Sequence, residues 1–200
     1  PAVHLFTQSG GKLKFDENDN IFIPNKYPSD QLSIGSCNGN LELDDIISNI
    51  NVSLKNFLKI DKTNFENLKI NSSKSISKRN IWLLPSNKTV SKTKAFVDFQ
   101  NDATAKDIKL ALREGFRSIE HVKRYTTTGM GTDQGKLGNM NALGIISDTS
   151  NVKMSDLGTT TFRPPYTPLT FGTIVGRNVG EFFDAFRKTP MHDWPVQHKA

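Results

Sequence analysis

Cysteine is nearly absent from this sequence of 200 residues, in which Cys37 is the single example. One thiol forms no internal disulfide, and it does not supply the set of thiolates that holds a zinc ion or an iron–sulfur cluster. Histidine is also sparse, and its four side chains form no HxH or HxxxH pair of the kind that binds metals. The sequence therefore predicts no metal centre. The histidines are His4, His121, His192 and His198.

Long apolar runs are also absent. No run approaches the roughly 18 residues that a membrane-spanning helix needs, and the N-terminal residues lack the basic and then apolar pattern of a signal peptide. We therefore expect a cytoplasmic protein with no membrane partner. Because the sequence starts without methionine and its last residues mix apolar and polar side chains, we also expect a segment of a longer polypeptide.

Positive charge is in moderate excess, with 26 Lys and Arg against 20 Asp and Glu and a formal net charge of +6. Nucleic-acid-binding proteins concentrate such charge in a stripe, often with interleaved aromatic residues. Here the basic residues are spread along the chain, so we expect no nucleic-acid partner.

Short apolar runs separated by turn residues organise the first sixty residues. We predict strands at 2–6 and 21–23 that pair as a hairpin, and a third strand at 32–34. Small residues follow this third strand and lead into a helix over 41–58, which has apolar residues at helical spacing. This order of elements predicts the tail of an α/β domain.

Three short helices are predicted within residues 96–150, after an Asn-, Ser- and Lys-rich connector at 61–95. The first helix follows Thr104, an N-cap residue with Asp107 three positions later, and ends near Gly115. Ser118 caps the second helix, and we place the third over 137–147. The second helix is predicted to bury a stripe formed by Ile119, Val122 and Tyr125.

Prolines punctuate the remainder of the chain and exclude an interior helix between about 156 and 176. We predict an extended strap there, which lies along another surface or serves as an ordered linker. A last helix is predicted over 179–187.

The strongest candidate site is the loop at 126–136, TTTGMGTDQGK. Threonine hydroxyls, glycine N–H groups and flanking cations are typical of a loop that holds a phosphate, and the following helix would add its dipole. The spacing matches neither the dinucleotide GxGxxG motif nor a P-loop. A plain connector between helices therefore remains the alternative.

A second candidate site is the turn that precedes the first long helix. Gly35, Ser36, Asn38 and Gly39 would let a ligand approach the backbone and the helix N-terminus, although a plain turn between strand and helix explains them equally well. No base adjacent to Cys37 is evident in the sequence, so we assign this thiol no catalytic role.

The sequence resembles the alpha subunit of heterotetrameric sarcosine oxidases. The resemblance is carried by FVDFQNDATAKDIKLALREGFRSIEHVKRYTTTGMGTDQGK at 96–136, GTTTFRPPYTPLTFG at 158–172, FRKTPMHDWPVQHKA at 186–200 and the opening VHLFTQSGGKLKFDE. It implies a tail of an FAD/NAD(P)-type dinucleotide domain at 1–60 and a small helical domain at 96–150. Residues 151–200 would be a strap and the start of an aminomethyltransferase-like folate domain.

The resemblance also implies cofactors and partners. In this family the alpha subunit holds NAD and, in its folate domain, tetrahydrofolate; the beta subunit holds FAD, and FMN lies at the interface between alpha and beta. The gamma and delta subunits complete the assembly. The resemblance places NAD near Gly35, Ser36, Asn38 and Gly39. It places FMN at Arg124, Thr126, Thr127, Thr128, Gly129, Met130, Gly131 and Lys136.

Residues 96–150 further resemble the [2Fe-2S] domain of bacterioferritin-associated ferredoxin. The four cysteine positions of that domain correspond here to Asp98, Gln100, Asp133 and Gly138, so every thiolate that a cluster requires is missing. The resemblance implies a helical scaffold without a cluster, whose former cluster loop serves a flavin.

We therefore expect part of an enzyme that oxidises sarcosine to glycine with oxygen. Its products would be hydrogen peroxide and formaldehyde or 5,10-methylenetetrahydrofolate. The segment carries no catalytic residue and is expected to be inactive alone. Two alternatives remain open: a non-catalytic docking module, and an alpha subunit of a related amine or imino-acid dehydrogenase, for example one that acts on proline.

Overall fold

A computed structural model of the chain describes residues 2–28, 30–59, 80–177, 180 and 188–199. It divides into two units, Pro1–Tyr166 and Thr167–Ala200. The greater part of the predicted connector and the predicted helix at 179–187 lie outside the described residues. The described elements combine helices with two small antiparallel sheets, so the expected mixed α/β class is confirmed.

A hairpin forms near the N-terminus, but not from the predicted pair of strands. Its strands are β1 (Lys12–Asp16) and β2 (Ile21–Lys26), and Phe15 lies opposite the buried Phe22. The prediction of a strand at 2–6 is wrong, because these residues begin helix α1 (His4–Gln8). The chain reverses after α1, and the N–H of Gly11 donates to the Phe6 carbonyl at 3.0 Å. Apolar residues in such a short run fit either element, and here they fold onto the following turn.

The predicted strand at 32–34 is also absent. Gly35–Asn38 forms a short 3-10 helix, which is followed by helix α2 (Leu43–Leu58). The predicted helix at 41–58 is therefore confirmed within two residues. The described part of the chain offers residues 32–34 no parallel strand to pair with, since its sheets have two antiparallel strands each.

The helical segment follows the predicted order closely. Strands β3 (Phe96–Asp98) and β4 (Ala103–Thr104) form a small sheet, followed by α3 (Ala105–Arg113) and α4 (Ile119–Thr126). At the start of α3, the Asp107 carboxylate accepts hydrogen bonds from the Thr104 N–H at 2.8 Å and the Thr104 hydroxyl at 2.6 Å. The predicted cap is therefore confirmed.

Two further helices complete this segment. Helix α5 (Asn139–Ser150) starts two residues later and ends three residues later than predicted, and α6 (Met154–Leu157) was not predicted. A core forms where α3, α4 and α5 pack together. Its largest fully buried side chains are Ile108, Val122, Leu143 and Ile146.

One predicted core residue of α4 is not buried. Tyr125 is 45 % exposed and packs its ring against Phe116 with centroids 4.8 Å apart, while Thr126 is buried beside it. Thr126 tolerates burial because its hydroxyl donates to the Val122 carbonyl at 2.8 Å. Thr126, at the end of α4, is therefore buried where the helical periodicity predicted a buried Tyr125.

Residues 158–166 are extended, as predicted for this part of the strap. The second unit contains α7 (Phe171–Val175) and α8 (Asp193–His198), and α7 corrects the prediction that the chain stays extended to 176. Thr170 caps α7, since its hydroxyl accepts from the Thr173 N–H at 3.2 Å. None of the described helices is both long and apolar enough to cross a bilayer.

Candidate functional site

The loop 126–136 is anchored by a buried carboxylate at the end of β3. Asp98 is 6 % exposed and accepts a hydrogen bond from the Gly129 N–H at 2.6 Å. The same carboxylate accepts from the N–H groups of Gln100 at 2.8 Å and Asn101 at 3.1 Å. Asp98 therefore joins the turn between β3 and β4 to the centre of the loop.

These hydrogen bonds also set the charge of Asp98. Burial opposes ionisation, but the N–H donors of Gly129, Asn101 and Gln100 outweigh it and hold the pKa of Asp98 below its usual value. The carboxylate is therefore ionised at neutral pH. An ionised carboxylate accepts stronger hydrogen bonds than a neutral one, so its charge reinforces the anchor.

A second contact from the same turn holds the outer part of the loop. The Gln100 side-chain amide donates to the Thr132 hydroxyl at 3.1 Å, and its oxygen accepts from the Asp133 N–H at 3.3 Å. A Cβ at Gly131 would overlap the Gln100 side chain, so any other residue there would displace Gln100 from these contacts. Together, Asp98 and Gln100 span the loop.

The positions that the ferredoxin resemblance aligns with cluster cysteines make protein contacts here. Asp98 and Gln100 bind the loop directly, and the Asp133 N–H is one of the groups bound. At Gly138 any side chain would collide with the Val97 carbonyl. These four positions are thus engaged in hydrogen bonds or in close backbone packing. Among the described residues, no group of three His, Cys, Asp or Glu side chains is arranged to hold a metal ion.

The loop does not offer the row of free backbone N–H groups that we expected for a phosphate. The N–H groups of Gly129, Met130 and Gln134 donate within the protein, as do those of Gly135 and Lys136. The hydroxyls of Thr126 and Thr128 lie 2.8 Å apart in a buried pair. A ligand on this loop would consequently be held by side chains.

Four predicted site residues keep their side chains on the outer surface. Thr127, Met130, Lys136 and Arg124 are exposed, whereas Thr126, Thr128 and Gly129 are buried. Arg124 lies 3.6 Å from the carboxylate of Glu120 one turn earlier. The exposed set presents two cations, a hydroxyl and a thioether around one loop.

The second predicted site forms a packing turn. Gly39 adopts a φ of +90° and closes the 3-10 helix, where an added Cβ would lie 3.1 Å from Ile23. The prediction of a turn between strand and helix is wrong here because residues 31–34, directly before Gly35, form no strand. Ser36 and Asn38 lie within the 3-10 helix itself. NAD contact at these residues stays a prediction.

A cavity of about 390 Å³ lies between the hairpin, α5 and the extended residues 158–166. Of the twelve predicted cofactor-binding residues, Lys136 alone lines it within the described part of the chain. Its ammonium group lies 3.9 Å from the centre of the Tyr166 ring and donates to the Tyr166 carbonyl at 2.6 Å. Lys136 thereby joins the loop to the cavity.

The side chain of Gln134 binds the backbone of residues 163–165, next to the loop. Its side-chain amide donates to the carbonyls of Arg163 at 2.9 Å and Pro165 at 3.0 Å, and its oxygen accepts from the Arg163 N–H at 2.7 Å. Sequence analysis missed Gln134, and it missed Asn139, which lines the cavity. An amide side chain between glycines carries no local signal of such a role, because its partners lie about thirty residues away.

Comparison with known proteins finds sequence similarity to one family. Residues 92–177 match the sarcosine oxidase A3 domain. The sarcosine oxidase subunit alpha of Rhizobium meliloti (strain 1021) is 52 % identical over 120 residues, which is 60 % of this chain and 12 % of that protein. The subunit alpha of Corynebacterium sp. (strain U-96) is 35 % identical over 210 aligned residues, covering all of this chain and 21 % of its own length.

A solved structure shows a similar fold. The L-proline dehydrogenase from P. horikoshii matches with a TM-score of 0.59 and 19 % identity, over 88 % of this chain and 37 % of that one. The alignment with the Corynebacterium relative includes the whole of this chain, which spans about a fifth of the length of that relative. It is similar over its length to a segment of the sarcosine oxidase alpha subunits, and residues 92–177 match the A3 domain.

Proposed function

We propose that this chain forms part of the alpha subunit of an amine oxidoreductase that oxidises sarcosine. The observation that carries the proposal is the match to sarcosine oxidase alpha subunits along the whole chain. The assembly would convert sarcosine and oxygen to glycine and hydrogen peroxide, with formaldehyde or 5,10-methylenetetrahydrofolate as the one-carbon product. Beta, gamma and delta subunits are its proposed partners, and the beta subunit would hold FAD.

The contribution of this chain is one wall of an FMN site at the interface with the beta subunit. FMN has an anionic phosphate and a flat ring, and when bound it supplies the redox chemistry that passes electrons to oxygen. Lys136 and Arg124 supply positive charge for the phosphate, while Thr127 and Met130 offer a hydroxyl and an apolar contact. Asp98 holds the loop that carries these side chains in one conformation.

The remaining cofactors are assigned by the same proposal. NAD would contact the turn formed by Gly35, Ser36, Asn38 and Gly39, and tetrahydrofolate would bind in a domain outside these 200 residues. The chain itself contributes binding and positioning groups. We assign none of its residues a role in proton or hydride transfer.

Flavin retention tests the FMN assignment. Lys136→Ala combined with Thr127→Ala, made in the complete alpha chain and purified with its co-expressed partners, should lower the FMN content measured by absorbance. The matched control is Lys106→Ala, which removes an exposed cation from α3. Equal FMN content in the wild type, the double variant and Lys106→Ala would contradict the assignment.

A docking role is the second candidate, and exposed apolar side chains favour it. Leu137 is 80 % exposed, Phe99 73 % and Met130 55 %. Met130 lies on the loop, Leu137 follows it directly, and Phe99 lies on the turn that anchors it. Large apolar side chains exposed together are typical of protein interfaces. If Leu137→Asp and Phe99→Asp release the partner subunits while Lys136→Ala and Thr127→Ala leave FMN unchanged, docking is the better account.

A further inference from the structure

We propose that Gln134 is a positioning residue, which fixes the ammonium group of Lys136 through residues 163–166. The proposal rests on the proposed function, in which Lys136 supplies positive charge for the FMN phosphate, and it deepens that function by naming the group that holds this charge in place. Gln134 is assigned no contact with the flavin. Two independent features of Gln134 carry the inference: the hydrogen bonds of its side chain and the conformation of its backbone.

The whole amide group of Gln134 is engaged with one short backbone segment. Its nitrogen donates to the carbonyls of Arg163 at 2.9 Å and Pro165 at 3.0 Å, and its oxygen accepts from the Arg163 N–H at 2.7 Å. A primary amide offers two hydrogens and an acceptor oxygen, so it matches these three backbone groups as no charged or apolar side chain does. Gln134 therefore fixes the backbone directly before Tyr166.

Tyr166 in turn fixes the ammonium group of Lys136. This group donates to the Tyr166 carbonyl at 2.6 Å and lies 3.9 Å from the centre of the Tyr166 ring. A lysine side chain has many rotamers, and two contacts with one residue restrict them. The ammonium group has three hydrogens, so two remain for an anion after the carbonyl has taken one. In the part of the chain that the structure describes, Lys136 forms no ion pair with a carboxylate, and its charge is not neutralised there.

The Tyr166 ring has support that does not depend on Gln134. It stacks on the His4 ring with centroids 3.6 Å apart and an angle of 6° between the planes, and it meets the Phe162 ring edge-on at 5.2 Å. The Gln8 side chain also donates to the Phe162 carbonyl at 3.0 Å. Loss of the Gln134 amide should therefore release the backbone of 163–166, including the carbonyl that Lys136 binds, while the ring contacts remain.

The backbone of Gln134 adopts a conformation that favours glycine. Its φ of +52° lies in the left-handed region, where a Cβ is unfavourable. The Asn139 amide holds this conformation by donating to the Gln134 carbonyl at 3.0 Å. A glycine at 134 would fit more easily but would lack the amide. An amide side chain in this unfavourable conformation points to a role for that side chain.

A cation that is fixed before its ligand arrives binds that ligand more tightly than a mobile one. Less side-chain freedom is lost on binding, because the restriction is already present in the free protein. Gln134 should therefore strengthen the binding of a flavin that carries a phosphate. It should not affect a flavin without one, since Lys136 would then have no anion to bind.

Selectivity between two flavins tests the proposal. The complete alpha chain is purified with its partners from riboflavin-starved cells, and FMN or riboflavin is titrated into the complex and followed by flavin fluorescence. Riboflavin has the ring system of FMN without the phosphate. Gln134→Met, which has a similar size but no amide, should reduce the preference for FMN over riboflavin at least about threefold and leave riboflavin binding unchanged.

Three further variants make the test specific. Gln197→Met removes an exposed amide from α8 and should keep the full preference for FMN. In Lys136→Met the preference should already be lost, so adding Gln134→Met should have no further effect. Gln134→Gly removes the amide but suits a φ of +52°, and it replaces Gln134→Met if that variant does not fold.

Amide hydrogen exchange gives a second readout, which requires no flavin. The Arg163 N–H donates to Gln134, and the two prolines that follow Arg163 have no N–H, so few groups contribute to exchange in this segment. Exchange at Arg163 should be about fivefold faster in Gln134→Met than in the wild type, and unchanged in Gln197→Met. An unchanged rate in Gln134→Met would contradict the proposal.

The outcomes separate this proposal from the FMN assignment. If Lys136→Met lowers the preference for FMN and Gln134→Met does not, the positioning role is overturned and the FMN assignment stands. The same conclusion follows if Gln134→Met weakens both flavins equally, or if it lowers the preference further in Lys136→Met, because Gln134 would then act through the fold of the loop as a whole. If the wild type binds neither flavin or does not prefer FMN, the FMN assignment fails and the positioning role fails with it.

Discussion

The helical segment from β3 to α6 and the N-terminal segment from α1 to α2 differ in how well their elements were predicted and in how much they bury. In the helical segment each long helix begins within two residues of its predicted start and buries a stripe of apolar side chains. In the N-terminal segment the predicted strand at 2–6 is a helix, and the 16 residues of α2 include no buried residue. Local signals therefore placed the long helices in both segments, α2 included, but they did not decide between strand and helix in the short apolar run at 2–6.

The distribution of the core explains this difference. Apart from Phe22, every buried member of the main apolar cluster lies between Val97 and Met154. Helix α2 instead exposes Leu43, Val52 and Phe57. We therefore expect substitutions in the two segments to have very different effects.

The largest contrast is expected between Ile108 and Leu43. Ile108 is completely buried, so Ile108→Ala should lower the free energy of unfolding by about 2–5 kcal/mol through lost packing and a cavity. Leu43 is 55 % exposed, and Leu43→Ala should cost less than about 1 kcal/mol. Urea denaturation measures both. Equal losses would show that α2 packs as tightly as α3.

A smaller effect is expected at Asp98. Asp98→Ala removes the acceptor of several N–H groups and should cost about 1–3 kcal/mol, while Asp148→Ala at an exposed position of α5 should have little effect.

The same residue predicts a pH dependence. Because the pKa of Asp98 is lower in the folded protein, its contribution is complete above the usual value of 3.8 and is lost as the pH falls through the lowered pKa. Denaturation midpoints between pH 7 and pH 2 measure this loss. An unchanged acid dependence in Asp98→Ala would contradict the anchor.

The smallest effects are expected at the helix starts. Thr104→Ala should destabilise α3 by about 1 kcal/mol, because Thr104 caps that helix. Glu42, the N-cap residue of α2, makes no capping hydrogen bond with its side chain, so Glu42→Ser should stabilise the helix by about 0.5–1 kcal/mol. Thermal unfolding and helical circular dichroism measure these changes. Effects of the same sign at both positions would remove the contrast between the two helices.

The limits of sequence analysis follow the same contrast. Thr104 bonds to Asp107 three residues later, and Ser118 takes the N-cap position of α4 without a hydrogen bond from its side chain, so local patterns were sufficient to place α3 and α4. The anchor from Asp98 to Gly129 and the clamp from Gln134 to Arg163 join residues about thirty positions apart, and no local pattern records them. For the same reason, sequence analysis singled out the glycines of the loop but did not predict that the N–H groups of Gly129 and Gly135 donate to carboxylates of the protein itself. The cavity and its lining residues became evident only in the structure.

Amine oxidation by the complete assembly tests the central claim most directly. The complete alpha chain should be purified with its co-expressed partners and supplied with sarcosine and oxygen, and hydrogen peroxide should be measured. The account predicts sarcosine-dependent peroxide formation, with no turnover of proline. Turnover of proline without oxidation of sarcosine would contradict it and would assign the chain to an imino-acid dehydrogenase.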